Sequence, residues 1–166
     1  MRSIVRSAFA VVFLIILYAS CESLENASNV PEITFKEFNS YIVVYDTNPY
    51  TLINAGELVF DFIDGDADLG EYSTDSSNIF LLPWEKVDGE YFKVDSVLYG
   101  QSFSFKTEER LEREGQYTTI KGEIRVQLLF PVLPPFDTMK YDFYIVDRAN
   151  HKSNVESTTD ITFVDL

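Results

Sequence analysis

Cysteine is almost missing from this chain. Cys21 is the only one in 166 residues, so no disulfide within the chain can staple its fold. Histidine is equally scarce. Any Ser-His-Asp triad would have to use His151, which stands in a charged stretch with no nucleophile motif beside it. Basic residues are few, 13 Lys and Arg against 27 Asp and Glu, and the net charge of −14 repels phosphate backbones. Nucleic acid is therefore excluded as a partner, and anionic headgroups are poor ones. No long stretch repeats apolar residues at the 3.6-residue helical period, which excludes a helical body. The one long apolar run, Ser7 to Ser20, is too short for a comfortable transmembrane helix.

What the chain has instead is aromatic residues and alternation. With 14 Phe and 10 Tyr it is a folded β protein rather than a disordered acidic tail. Ile33–Phe35 and Tyr41–Tyr45 predict two early strands, the second stopped by Asp46-Thr47-Asn48-Pro49. Leu58, Phe60 and Phe62 point to one face of a third. Asn78–Val87 follows, with Pro83 marking an edge or a bulge. Asp88-Gly89 is a two-residue hairpin turn into Tyr91–Val94. After a short alternating stretch at Ser102–Phe105, Ile120–Phe130 sends Ile124, Val126 and Leu128 inward and Glu123, Arg125 and Gln127 outward. Met139, Tyr141, Phe143 and Ile145 repeat the pattern, and residues 159–164 close the chain. Seven or more such strands separated by turns predict an all-β fold, an immunoglobulin-like antiparallel β-sandwich.

The chemistry concentrates after Phe62. Asp64, Asp66 and Asp68 alternate with Gly65 and Ala67, and hard cations such as calcium take about six to eight oxygen ligands from such groups. With Asp64 as position 1, Asp75 falls at position 12 of an EF-hand-like loop. Leu69 stands where that motif wants Gly, Gly70 comes one residue late, and no amphipathic helix follows. A solvated acidic turn is the plainer reading of the same residues. In the expected sandwich the loops after the second and sixth strands share one end, which brings Asp147 and Asn150 to the acidic loop. There they either complete a metal site with Asp64, Asp66, Asp68 and Asp75, or let Arg148 and Lys152 cap the carboxylates.

The amino terminus carries an address. Arg2 and Arg6 precede the apolar run, the layout of a secretory signal. Its end, Tyr18-Ala19-Ser20-Cys21, resembles a bacterial lipobox, with Tyr18 in place of the usual Leu. That resemblance implies a signal peptide over residues 1–21, lipidation of Cys21 and a membrane anchored rather than spanned. Without Arg2 and Arg6 the mature chain has 11 basic residues against 27 acidic, a net of −16. Residues 22–31 are polar and aperiodic, a flexible tether, and residues 32–166 form the sandwich domain. The acidic pair Glu22 and Glu25 is similar to surface-export tags of Bacteroidota lipoproteins.

Phe60-x-Phe62-x-Asp64-Gly65-Asp66-Ala67-Asp68-Leu69-Gly70, together with Tyr144–Asn154 and the lipobox, resembles a set of small uncharacterised Bacteroidota lipoproteins with an Asp-Gly-Asp-x-Asp-(Ile/Leu)-Gly loop and an immunoglobulin-like body. The resemblance implies an outer-membrane lipoprotein of the cell envelope, open to the cell surface, and assigns no task. The expectation is a non-catalytic binding or accessory module with a calcium-stabilised loop, partnered by the membrane through its lipid and by an outer-membrane protein or a glycan. The alternatives are a carbohydrate-binding lipoprotein that stacks sugars on Trp84 and Tyr91, and a small surface hydrolase.

Overall fold

Side chains that alternate in and out need a second apolar face to pack against, and the computed structural model supplies it by folding the chain into two antiparallel sheets. It describes residues 27–47, 50–70, 77–95, 101–103, 119–130 and 137–163. One sheet holds β1 (Glu32–Thr47), β2 (Tyr50–Asp64) and β6 (Ile120–Phe130) in the order β1-β2-β6. The other is built on β3 (Ile79–Val87) and β7 (Thr138–Ile145). On the free side of β3 lie β4 (Glu90–Lys93) and β5 (Gln101–Phe103), and on that of β7 lie β8 (Glu156–Ser157) and β9 (Ile161–Thr162). Read as A-B-E against C′-C-F-G, this is the strand order of an immunoglobulin-like sandwich. No helix occurs among the described residues.

The core follows the alternation. Leu58 and Phe60 from β2, Ile124, Val126 and Leu128 from β6, and Met139, Tyr141, Phe143 and Ile145 from β7 are all buried in one cluster. Phe60 meets Phe143 across the sheets with ring centroids 5.1 Å apart, and Phe35 meets it edge-on at 6.3 Å. Burial of such side chains, each worth about 1.5–3 kcal/mol, drives the two faces together.

Two expectations about strands are corrected. The first two predicted strands are one, because a bulge at Lys36 keeps the chain in register with β2: Phe35 faces Phe60, the register then shifts, and Phe38 faces Leu58. Three residues apart, both phenylalanines thereby reach the core. The bulge also serves charge. Asp61 and Glu123 stand directly opposite each other on the outer face, an unfavourable pair, and Lys36 reaches both (3.4 and 2.6 Å). Pro83 is neither at an edge nor in a bulge of the β3–β7 ladder, for β3 is an inner strand. Its partner Tyr141 turns its backbone groups toward Thr158 (Tyr141 N–H to Oγ1 3.0 Å, Thr158 N–H to Tyr141 O 2.9 Å), so the Pro83 backbone faces the other flank. There β5 has ended opposite Leu81 and β4 begins opposite Trp84, and the Pro83 carbonyl accepts from Val94 N–H (3.1 Å). No ladder partner needs the missing N–H.

Candidate metal centre

The period-two alternation that sends Leu58, Phe60 and Phe62 toward the core sends Asp64 there as well. It is 0% exposed. One oxygen, Oδ2, accepts the Leu69 N–H at 2.8 Å, while Oδ1 is buried without a hydrogen-bond donor, and Asp68 Oδ1 is in the same condition. The loop closes because Leu69 drops into the core and because Ala67 (φ 54°) and Gly70 (φ 113°) take left-handed turns. Leu69 at EF-hand position 6 is thus a hydrophobic plug, and the loop is not an EF-hand. Asp75 lies outside the described residues.

Carboxylate oxygens of Asp64, Asp66 and Asp68 lie within 4.8 Å of one another. Burial, with repulsion from Asp66 and Asp68, pushes Asp64 up to about 6 even against the Leu69 hydrogen bond. Asp68 is also raised, by burial first and then by the charges of Asp147 and Asp66. Three carboxylates this close, one fully buried, make a donor set suited to a hard divalent cation, whose charge would relieve the repulsion and occupy the orphaned oxygens.

The loop after β7 reaches the same rim, as expected of the topology. Arg148 N–H donates to the Asp68 carbonyl (3.3 Å) and Ala149 N–H to Asp68 Oδ2 (3.1 Å). Asp147, however, has its oxygens engaged by His151, one by the backbone N–H (2.7 Å) and the other by Nδ1 (2.8 Å). Asn150 is exposed at φ 67° and turns the chain, its N–H donating to the Asp147 carbonyl (3.2 Å). Asp147 stands beside the carboxylate trio rather than within it. Lys152 lies over the Tyr144 ring at 3.7 Å, away from a capping position. The Asp147 hydrogen bond raises the His151 pKa, with further help from the Asn29 backbone and the Asp66 charge.

Sequence reasoning missed a strap across this rim. Gly65 N–H donates to the Ser28 carbonyl (2.9 Å), and a Cβ at residue 65 would sit 2.4 Å from the Ala27 oxygen and 2.5 Å from that of Ser28. Only glycine admits the chain so close. Pro31 is buried next to it, and the Asn154 side chain clamps Ile33 through both backbone groups (2.8 Å each). Residues 27–31 of the expected flexible tether are therefore packed on the domain. The readable signal was Gly65 itself, in a loop whose other turns are made elsewhere.

Trp84 and Tyr91 lie on the outer face of the β3–β7 sheet. Lys140 stands over both rings, 5.9 Å from Trp84 and 4.8 Å from Tyr91, and the Tyr91 hydroxyl donates to Asp160, which also pairs with Lys86 (2.6 Å). The rings are thus already covered by a cation, while the Trp84 indole N–H is buried without an acceptor. Comparison with protein-family models, curated proteins and solved structures finds no match to this chain.

Proposed function

We propose that this chain is a lipid-anchored, non-catalytic binding or accessory module of the cell envelope whose acidic rim is organised by calcium. One observation carries the cation: the fully buried Asp64 Oδ1, without a donor, facing Asp66 and Asp68. An uncompensated carboxylate in such a place is costly, and a bound ion offsets that cost. The anchor rests on the lipobox-like Tyr18–Cys21 and the apolar run before it. Calcium orders the loop, the loop holds residues 147–149 through Asp68, and the rim becomes a rigid end for the domain.

Calcium binding to the folded chain alone raises its melting temperature by mass action, by several degrees at saturation, since a ligand at about 100 times its Kd contributes roughly 2.7 kcal/mol. Thermal melts with calcium and with chelator measure the shift, and Asp66→Ala should abolish it. Identical melts in the two conditions would remove the cation from the proposal. For the anchor, metabolic labelling with a fatty acid should mark the wild-type chain and not Cys21→Ser. A glycan-binding role has one observation in its favour, the aromatic outer face, with Phe80 stacked on Tyr144 at 5.1 Å and Trp84 further along the same strand. It requires Lys140 to leave the rings, and a glycan-dependent change in Trp84 fluorescence would establish it.

A further inference from the structure

Among the described residues the β1–β2 hairpin extends beyond β6. The β2–β6 pairing reaches Asn54, opposite Phe130, while β1 and β2 are paired out to Thr47 and Tyr50. The tip carries apolar residues in water: Tyr41 is 38% exposed, Ile42 45%, Val44 53% and Leu52 48%. From Phe38 to Tyr45 and from Tyr50 to Gly56 there is no charged residue, in a chain of net charge −14.

The outer edge of β1 is closed at Ile33. Ile33 turns both backbone groups away from β2, and Asn154 receives them. Ile33 lies opposite Phe62, and residues opposite every second position of β2 share its orientation, so Phe38, Ser40, Ile42 and Val44, opposite Leu58, Gly56, Asn54 and Leu52, aim their N–H and C=O groups outward. Among the described residues no strand pairs with that edge. An uncharged, β-prone, outward-facing edge is a template for strand addition.

We propose that this edge joins two copies of the chain, β1 to β1 in antiparallel register about a two-fold axis beside Ile42. The charge pattern selects this occupant. In that register Ser40 of one copy faces Val44 of the other, no residue between them is charged, and the irregularity of β1 between Val44 and Asp46 ends the regular edge before Asp46. An acidic or basic partner would find no charged group to recognise on the segment, whereas a second copy presents the same uncharged strand. The product is a continuous six-stranded sheet, β6-β2-β1 joined to β1-β2-β6.

Sedimentation of the full chain over a wide concentration range tests this. The expected result is a reversible monomer–dimer equilibrium that tightens as salt rises, because salt screens the repulsion between two strongly acidic chains. Ile42→Lys should weaken the dimer about tenfold or more by placing like charges at the two-fold axis, and Val44→Lys should do so independently. Both positions are exposed, so the melting temperature should stay at the wild-type value and confirm folding. Residues 1–21 are unchanged in these variants, and association through that apolar run would survive both. Persistence of the dimer in both variants, a monomer at every concentration, or a dimer that loosens with salt would overturn the proposal. So would a monomer that binds phosphatidylcholine vesicles through the hairpin.

Discussion

The two ends of the β1–β2 pair are built on opposite principles. Toward the rim, the outer face of the pair carries dense, paired charge: Lys36 bridges Asp61 and Glu123, Arg125 joins Glu123 and Glu57 (2.7 and 2.9 Å), and Asn154 closes the strand edge. Toward the tip, Phe38–Tyr45 and Tyr50–Gly56 carry no charge, and among the described residues no strand closes the edge. The rim uses polar groups to lock the sandwich to its own loops, whereas the tip leaves apolar groups and backbone donors available to something outside. A single pair of strands thus serves stability at one pole and association at the other.

Paired substitutions break this contrast most sharply. Leu69→Ala at the rim removes a plug from the core and should destabilise the domain by about 2–5 kcal/mol, while Leu52→Ala at the tip should change unfolding free energy by less than about 0.5 kcal/mol. Denaturant titration measures both. Equal effects would mean that the tip is packed as the rim is. Next in size, Asn154→Ala leaves the Ile33 backbone unpaired and should cost about 1–3 kcal/mol, against almost nothing for Asn39→Ala on the open part of the edge.

Much of this contrast was legible in the residues, and part was not. Alternation in β6 and β7 correctly identified their buried faces, since period two allows only one partition of side chains. The same rule, carried two residues past Phe62, places Asp64 in the core, a burial that neither the cation-loop nor the solvated-turn reading of the acidic stretch contains. Ile33–Phe35 and Tyr41–Tyr45 looked separate because polar residues divide them, and the bulge at Lys36 that unites them depends on β2 lying alongside. Nothing local marks Asn154 as a clamp on a residue 121 positions away. Nor does anything local show that the ring of His151 ties Asp147 into the turn.

Smaller effects sharpen the rim. Asp64 keeps its proton up to about pH 6 in the folded state, against an ordinary 3.8. The stability this contributes is fully present below 3.8 and is lost as pH rises through about 6, because the folded chain there must give up a proton it holds more tightly than the unfolded one. In chelator, therefore, Asp64→Asn should gain stability relative to wild type as pH goes from 4 to neutral, and calcium should reverse the order. Parallel pH-stability profiles for the two proteins would show that Asp64 is not the titrating group. Least of all, Ala67→Gly relieves a left-handed residue, for which an L side chain costs roughly 1–2 kcal/mol, and should stabilise the loop by less than that because glycine loses more freedom on folding. Denaturant midpoints resolve the difference.

Composition and alternation by themselves determined a strongly acidic β-sandwich with a single cysteine and three aspartates alternating after one strand; these follow from side-chain period and net charge, which are local or additive. Which carboxylate is buried, which loop meets it, and which strand edge is closed were decided by the pairing of segments far apart in the chain. Burial and hydrogen bonding are properties of what surrounds a group, and only the folded arrangement supplies the surroundings.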